Sequence, residues 1–553
     1  MAAFEVYLVE TDETLRIKEN TTFQELAEKA KPFHRAPIIA AKFNNKIREL
    51  FRTVNMNGTL RFVDLKEADG MRVYRRGLIF LLYIAMKDLF PQKRLRVMHS
   101  LGNSLYCEVE EGVLGKEDLE SLKQRMQELV EQDKPFKKKR MSRFDAIELF
   151  KKLGWEDKAK LFRFRRKDTV DLYTCGEYKN YFYGYLPPST GHLKWFDIRP
   201  FEPGFLLVYP DFNKSDPMAH KEMPKFANVF LEYKRWGSII GVSTVGELNE
   251  LIVSGAKRIN ELILISEMLH EYKIALIAHE IVRRKGVKFV LVAGPSSSGK
   301  TTFAKRLSLQ LKALGIVTVP ISLDDYFLDR ERTPRDENGE YDFEAIEALD
   351  LELFNMHLTK LLKGEEIELP RFNFKLGRRE WSGQNLRLKP HEIVVIEGIH
   401  GLNERLTESI PREYKFKVYV SALTQLSVDR LNRVSTTDTR LVRRLIRDYH
   451  FRGHSPLDTL KMWPKVRRGE ERNIFPFQEE ADVFFNSALV YELAVLKTHA
   501  EPLLMQVEHT EEEYSEARRL LKFLEYFLPI TDIRAVPHTS IIREFIGGSV
   551  FKY

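Results

Sequence analysis

Three short stretches in the second half of the chain, residues 287–293, 317–323 and 391–400, are predominantly apolar. Near-continuous rather than alternating hydrophobicity predicts strands buried on both faces, as in a parallel sheet covered by helices. A helix-like run, 303–314, follows the first stretch. The first half reads differently. Residues 4–9 alternate as a half-buried strand, and residues 22–30 read as a helix with Thr22 as N-cap and Glu25 three positions on. Strand-like pieces lie at 38–43 and 60–63, and a helix-like stretch at 143–153. Between the halves, Leu248, Leu251, Ile252, Ile259, Leu262 and Ile263 recur at helical spacing within residues 245–268, which predicts a helical connector. Residues 511–528 predict a last helix, a candidate to pack on the second half or to support a homo-oligomer.

With 553 residues the chain exceeds one core, and three or four domains are expected. The 43% hydrophobic and 30% charged content is that of ordinary soluble protein. The longest apolar run, 78–86, stops at Lys87, well short of a membrane span. Glu5, Glu10, Asp12 and Glu13 stand where a signal peptide needs a basic and then apolar start. Cys107 and Cys175 form neither a disulfide framework nor zinc-site spacing, so a reducing cytoplasm is expected and no membrane partner. The net charge of +8 suits an anionic ligand or RNA and decides neither. The densest basic run, Lys137-Lys138-Lys139-Arg140, reads as a solvated surface stretch or an RNA contact.

Candidate chemistry gathers at the ends of the apolar runs. Gly294-Pro295-Ser296-Ser297-Ser298-Gly299-Lys300-Thr301-Thr302 fits G-x-x-x-x-G-K-[ST] between a predicted strand and helix. Its glycines let backbone N–H groups converge on a polyphosphate. The expected binding set is Gly294, Ser296, Ser297, Ser298, Gly299, Lys300, Thr301 and Thr302, for ATP or GTP. Lys300 adds a point charge at the β- and γ-phosphates, and the Thr301 hydroxyl offers a ligand to Mg²⁺. Asp324 and Asp325 end the second run, at the edge of an open α/β sheet where ligands collect. Asp324 is placed to accept a hydroxyl proton. Glu397 ends the third run and is a second candidate for Mg²⁺, with His400 at the same edge. Arg440, Arg443, Arg444 and Arg447 share one broad side of a predicted helix, a basic lid suited to phosphates, while Leu441 and Leu445 fall on another side.

The loop, Ser322-Leu323-Asp324-Asp325-Tyr326-Phe327, Ile396-Glu397-Gly398 and Asp438-Thr439-Arg440-Leu441-Val442-Arg443-Arg444 together resemble the uridine kinase and phosphoribulokinase branch of P-loop kinases, over residues 287–490. That resemblance implies Asp324 as base toward a sugar hydroxyl, with Lys300, Arg440 and Arg443 completing the catalytic set, and Glu397 with Thr301 linked to Mg²⁺. It implies Arg444 and Arg447 on the nucleotide, and an acceptor pocket from Asp325, Tyr326, Asp342, Phe372, Arg379 and Arg440. In the segment 370–379 the family's histidine falls on Gly377. Lys375, Arg378 and Arg379 bring charge that a neutral nucleoside does not need. Asp342 is kept without the family's following His-Pro. The implied reaction is ATP- and Mg²⁺-dependent phosphorylation of a nucleoside 5′-hydroxyl. Another hydroxylated metabolite (a sugar phosphate or a pantothenate-like acceptor) and an RNA-binding regulatory NTPase are the alternatives.

The front of the chain resembles the TGS module and the editing-type domain of threonyl-tRNA synthetases, at residues 70–82, at Cys175-Gly176-Glu177-Tyr178-Lys179 and at 187–191. The family's H-x-x-x-H and C-x-x-x-H fall on Arg76 and Phe80, and on Cys175 and Lys179, so editing chemistry is expected to be lost and Cys175 to be a packed thiol. His99 and His192 lack ligand spacing. The whole chain resembles bacterial uridine kinase-related proteins that carry a TGS front end. The expected architecture is multidomain α/β. Residues 1–68 form a β-grasp unit, 69–227 an α+β editing-like unit and 228–285 a helical connector. Residues 286–500 form a P-loop kinase with a parallel sheet flanked by helices, and 501–553 a helical extension.

Overall fold

The computed structural model of the chain describes residues 3–221, 223–225, 229, 232, 236–237, 239–336, 339–373 and 376–553. Asn228, where the connector was expected to begin, and Phe374 and Lys375 of the 370–379 segment lie outside the described residues.

The alternation at the N-terminus produces β1 (Ala3–Leu8), paired antiparallel with β2 (Glu13–Lys18). The strands β3 (Ile38–Phe43), β4 (Lys46–Arg48) and β5 (Gly58–Asp64) complete a mixed sheet of order β2-β1-β5-β3-β4, with β1 and β5 parallel. The helix Phe23–Ala30 lays Phe23, Leu26, Ala27 and Ala30 on this sheet, and Thr22 Oγ1 accepts the Glu25 N–H at 3.2 Å. This is a β-grasp arrangement.

The next region is organised on one long helix, Ala68–Leu89, buried along most of its length. Around it lie β6 (Leu95–Leu101), β7 (Ser104–Val109), β8 (Lys137–Ser142), β9 (Thr169–Cys175), β10 (Tyr178–Asn180), β11 (Asp197–Phe201) and β12 (Gly204–Val208). They form two antiparallel sheets, β11-β12-β7-β6 and β10-β9-β8. Phe80 packs in the core, 5.4 Å from the Phe136 ring. Burial pushes the Cys175 thiol up to about 11, as befits a packed thiol. The basic run 137–140 lies in β8 with Lys137, Lys139 and Arg140 exposed, as a solvated stretch would be, while Lys138 turns inward to Glu49 at 2.7 Å and Arg140 Nε lies 2.7 Å from Asp171.

The predicted connector helix is two helices, Val245–Val253 and Ala256–Arg283, broken at Gly255, whose φ of 116° a helix cannot hold. A capping box opens the first, with Glu247 accepting the Thr244 N–H at 3.0 Å.

The three apolar runs become β13 (Phe289–Ala293), β14 (Val317–Ser322) and β17 (Glu392–Glu397). Between them a hairpin, β15 (Glu366–Asn373) and β16 (Arg378–Arg387), projects from the sheet sequence. With β18 (Lys415–Ser421) and β19 (Val483–Asn486) the three form an all-parallel sheet of order β14-β17-β13-β18-β19. Every residue of β13 is buried. The chain leaves β13 toward β14 on one side and later returns toward β18 on the other, so a crevice opens beyond the C-terminal end of β13.

The expected boundary at 500 falls inside a helix, Glu492–Leu504. The expected helical extension is helical over Tyr514–Leu524 and Arg543–Ile546 and otherwise irregular. It is not a loose appendage: Phe523, Ile541, Ile542 and Phe545 are buried, and the Asn249 side chain donates to Tyr526 O at 2.7 Å.

Lys158 and Asp429, both fully buried, meet at 2.6 Å and tie the middle region to the C-terminal half. Breaking a buried pair strands a charge, so Asp429→Ala should cost about 3–5 kcal/mol. The expected result is a lower urea midpoint for Asp429→Ala and for Asp429→Asn, both of which strand Lys158, partly restored by adding Lys158→Met; unchanged midpoints for the single variants would contradict it.

Candidate active site

The crevice beyond β13 is floored by the phosphate loop. Gly294 passes so close to β18 that a Cβ there would lie 2.0 Å from Val420 O. Gly299, at φ 83°, reverses the chain into the helix Lys300–Ala313. The Ser297 and Ser298 hydroxyls are buried without a hydrogen-bond partner among the described residues, a cradle that phosphate oxygens can satisfy. Lys300 Nζ folds back to Pro295 O at 3.1 Å.

Sheet register brings the acids to this loop. Glu397 lies opposite Val292 of β13 and opposite Ser322 of β14, so Asp324, two residues beyond Ser322, shares its edge. Thr301 Oγ1 donates to Glu397 Oε1 at 2.8 Å. Burial lifts the Glu397 carboxyl against the pull of Lys300 and Thr301, with Glu544 and Asp324 pushing the same way as burial. Burial likewise lowers the Lys300 ammonium, against Glu397, Glu544 and Asp324. Asp324 faces the crevice and is exposed there, with protein atoms crowded around it. That crowding raises its carboxyl, Lys300 and Arg452 oppose the rise, and Asp325 adds to it. A raised carboxyl is suited to accept a proton near neutral pH.

The arginine helix is Thr436–Arg452, and two of the four arginines expected to form a lid over phosphates are turned inward instead. Arg440 and Arg443 are 1% and 0% exposed and hold the loop from behind. Arg440 Nε donates to Ser296 O at 2.8 Å and pairs with Glu470, whose carboxylate also accepts the Ser296 N–H at 3.0 Å. Arg443 donates to Ser297 O at 3.3 Å and to Ser487 O at 2.9 Å and pairs with Glu492. The cause is the partners: two buried carboxylates, Glu470 and Glu492, draw the guanidiniums inward. Arg444 is the member of the set that reaches the loop's side chains, donating to Ser296 Oγ at 2.7 Å. Arg447 bonds Asp448 at 2.8 Å rather than the loop.

The 3₁₀ turn Leu323–Tyr326 sends Asp324 outward and Tyr326 inward, where its hydroxyl meets His357 Nδ1 at 3.0 Å and its ring packs on Phe354. Tyr326 is therefore a core residue. Phe372 is also buried, 5.6 Å from the Phe327 ring, and is not presented for stacking on an acceptor. Asp325 pins the hairpin by accepting the Phe372 N–H at 3.2 Å. Asp342 accepts the Glu344 N–H at 3.1 Å, and Arg379 is neutralised by Asp350 at 2.7 Å. Gly377 closes the hairpin turn at φ 67°. Both ring nitrogens of His400 are buried without a partner among the described residues.

Sequence reasoning missed Glu344, Glu470, Glu492 and Glu544. Burial, reinforced by Glu470 and Asp342 and opposed by Arg444 and Lys300, pushes the Glu344 carboxyl up to about 7. Glu544 comes from the short C-terminal helix Arg543–Ile546. Its Oε2 accepts the Thr302 hydroxyl at 2.6 Å and the Thr302 N–H at 3.3 Å, and the Tyr553 hydroxyl closes on the same Thr302 at 2.9 Å. Ile541 of the tail packs so tightly that a Cβ on Gly299 would lie 2.6 Å from its methyl group. A carboxylate thus occupies main-chain and hydroxyl donors at the start of the loop helix, where an anion binds favourably. The signal for Glu470 and Glu492 was the arginine cluster itself, which could not be buried without acids from elsewhere.

The residues present fit Mg²⁺: a hydroxyl and a carboxylate 2.8 Å apart offer hard oxygen ligands and leave room for phosphate oxygens and water. No cluster of three or more protein metal ligands exists among the described residues.

Residues 289–494 match the model of the phosphoribulokinase/uridine kinase family. The N-terminal region matches threonine–tRNA ligases. The enzyme of Syntrophotalea carbinolica is 31% identical over 163 residues, covering 29% of this chain and 26% of that protein. The enzyme of Paraburkholderia phymatum is 30% identical over 179 residues, covering 32% and 28%. The chain therefore spans about a quarter of the length of these relatives. Among solved structures, a protein of Bacillus stearothermophilus described as a possible uridine kinase is 20% identical, covers 38% of this chain and 97% of its own, and superposes with a TM-score of 0.26. D-glycerate 3-kinase of Cryptococcus neoformans is 15% identical, covers 47% and 87%, and gives 0.21.

Two outcomes follow for nucleotide binding. Glu544→Gln removes the competing carboxylate, so ATP affinity by calorimetry should rise several-fold; unchanged affinity would mean that the tail and the donor do not compete. Glu344 is neutral below about 7 and anionic above it, beside Lys300 and Arg444, so ATP affinity should fall as pH rises through that value. The Glu344→Gln variant should lose this dependence. The same shift makes protonated Glu344 favour the fold, a contribution present below its unfolded value near 4.5 and lost as pH rises through about 7.

Proposed function

We propose that this chain is an ATP- and Mg²⁺-dependent kinase acting on the hydroxyl of a small metabolite, with the 5′-hydroxyl of a nucleoside as its acceptor. The observation that carries the reading is the convergence of Asp324, Lys300 and the Thr301–Glu397 pair at one sheet edge, with a raised carboxyl on the acceptor side. The loop amides and Lys300 hold the donor's phosphates. Thr301 and Glu397 would hold Mg²⁺, which when bound neutralises charge on the β- and γ-phosphates. Asp324 takes the acceptor's hydroxyl proton as the new O–P bond forms to the γ-phosphorus. The bond from that phosphorus to the β–γ bridging oxygen breaks, and ADP leaves. Arg440 and Arg443 act by fixing the loop, whereas Arg444 is the arginine best placed to reach the transferring group.

The nucleoside part of this reading rests on the family match and on Asp324. Burial of Tyr326 and Phe372 removes two groups expected to recognise a base and favours keeping a sugar phosphate or a pantothenate-like acceptor as the alternative. The division into β-grasp, editing-like, connector, kinase and C-terminal units is proposed on the same basis. An RNA-linked NTPase is the second reading, favoured by the ligase match. The pairing of Lys138 with Glu49 and of Arg140 with Asp171 weakens the basic run as its RNA contact.

ADP release from ATP and Mg²⁺, measured with a panel of nucleosides and sugar phosphates, tests the proposal. One acceptor should stimulate turnover, and Asp324→Ala should lower it by roughly 10²–10⁴-fold, the usual contribution of a positioned acid or base. Because the Asp324 carboxyl lies above its ordinary value, the rate should begin to fall on the acid side at a higher pH than an ordinary aspartate would give. Hydrolysis that ignores every acceptor and survives the substitution would sink the kinase reading.

A further inference from the structure

Far from the phosphate loop in sequence, five guanidiniums converge where the long helix Ala68–Leu89, the segment leading into the arginine helix and the helix Tyr514–Leu524 meet around a cavity of about 70 Å³. Two of the five are balanced. Arg72 pairs with Asp69 at 2.7 Å and with Glu516 at 2.9 Å, and Arg519 grips Asp438 with two bonds of 2.7 Å and Glu516 with another. The other three, Arg75, Arg76 and Arg433, pair with no carboxylate among the described residues. Among the described residues Arg75 donates to the Tyr209 hydroxyl at 3.3 Å and Arg76 to Arg72 O at 3.3 Å, with the Arg76 guanidinium carbon 5.3 Å from the centre of the Tyr183 ring.

The excess charge is felt by its neighbours. Burial alone would raise the Tyr209 phenol, yet Arg75, a hydrogen bond with Ser100 and Arg433 bring it below its ordinary value. Burial, then Arg433 and Arg96, hold the His99 imidazole at about 3. Ser435, the N-cap of the arginine helix, also lines the cavity and makes no side-chain capping bond. Three unbalanced guanidiniums, all half-buried rather than sealed, are costly unless something anionic arrives. Guanidinium forks match the paired oxygens of a phosphate, and the cavity has room for one such group but not for a stacked nucleotide.

We propose that this cavity is a binding site for a phosphate-bearing small molecule, whose phosphate is held by Arg75, Arg76 and Arg433. The site is separate from the phosphate loop and independent of whether the chain is a kinase. It is built on the N-terminal end of the helix whose arginines support that loop.

The test uses the full chain carrying Lys300→Ala, which disables phosphate binding at the loop, titrated calorimetrically with inorganic phosphate. One phosphate per chain should bind, and adding Arg433→Gln or Arg76→Gln should weaken it at least tenfold. Phosphate should raise the melting temperature of the Lys300→Ala chain and leave that of the glutamine variants unchanged. Without phosphate, those variants should melt no lower than their parent, because a repelling charge has been removed. If either glutamine variant fails to fold, Arg433→Lys and Arg76→Lys keep the charge and lose the fork, and should weaken phosphate binding by a smaller factor. Absence of saturable binding, or binding indifferent to these substitutions, would overturn the proposal. So would tRNA binding that depends on Arg433 without any response to phosphate, which would assign the cluster to RNA.

Discussion

The structure depends on two buried ion pairs, Arg440–Glu470 and Arg443–Glu492. Taking four charges out of water is expensive, and pairs of this kind contribute little net stability. What they supply is direction. Each guanidinium also holds a loop carbonyl, of Ser296 or Ser297, and the Glu470 carboxylate holds the Ser296 N–H. With those carbonyls fixed toward the protein, the remaining loop amides and the buried Ser297 and Ser298 hydroxyls are left for an anion. Three helices from separate parts of the sequence, Thr436–Arg452, Pro456–Asn473 and Glu492–Leu504, are thereby keyed to one nine-residue loop. A loop that must bind a polyanion cannot rely on its own chain for rigidity, since every glycine that frees its amides also loosens it.

What could be read from the chain follows from the range of the physics involved. The parallel strands, the phosphate loop and its helix, and the β-grasp helix with its Thr22 cap are local patterns and stand where the periodicity put them. Asp324 and Glu397 were legible because strand ends in a parallel sheet share an edge. Tyr326 was not, because a 3₁₀ turn points residues two apart in different directions while a strand would have kept Asp324 and Tyr326 together. The arginine helix misled for a related reason. Spacing gives the face a residue occupies, whereas the choice between solvent and core is made by acids 30 and 49 residues away. The carboxylate of Glu544 lies still further off, 242 residues from Thr302, in a segment with no periodicity to announce it.

Charge explains why the C-terminal tail and the front of the chain both end at the same helix. The arginine helix and its flanks carry more cations than their own acids balance, and the surplus is met region by region. Glu470 and Glu492 meet it at the centre, and Asp448, wholly buried, meets it for Arg444 and Arg447. At the N-terminal end the arrangement reverses. Arg519 from the tail region satisfies Asp438, and Arg72 from the long helix of the front half shares Glu516 with it, so that one chain of ion pairs runs Asp438–Arg519–Glu516–Arg72–Asp69 across three parts of the molecule. Such a chain lets each part sense displacement of the others, because moving any member leaves its neighbour half-paired in a poorly solvated place. Arg75, Arg76 and Arg433 lie beside this chain and outside it. They are the point at which its balance is incomplete and at which an added anion has the most leverage on the position of the helix. Glu544 holds the opposite pole, an anion supplied by the protein itself at the loop. The arginine helix is therefore framed by charges that the fold provides on one side and leaves open on the other, and that asymmetry follows from burying a helix this basic where the long front helix and the C-terminal helices meet.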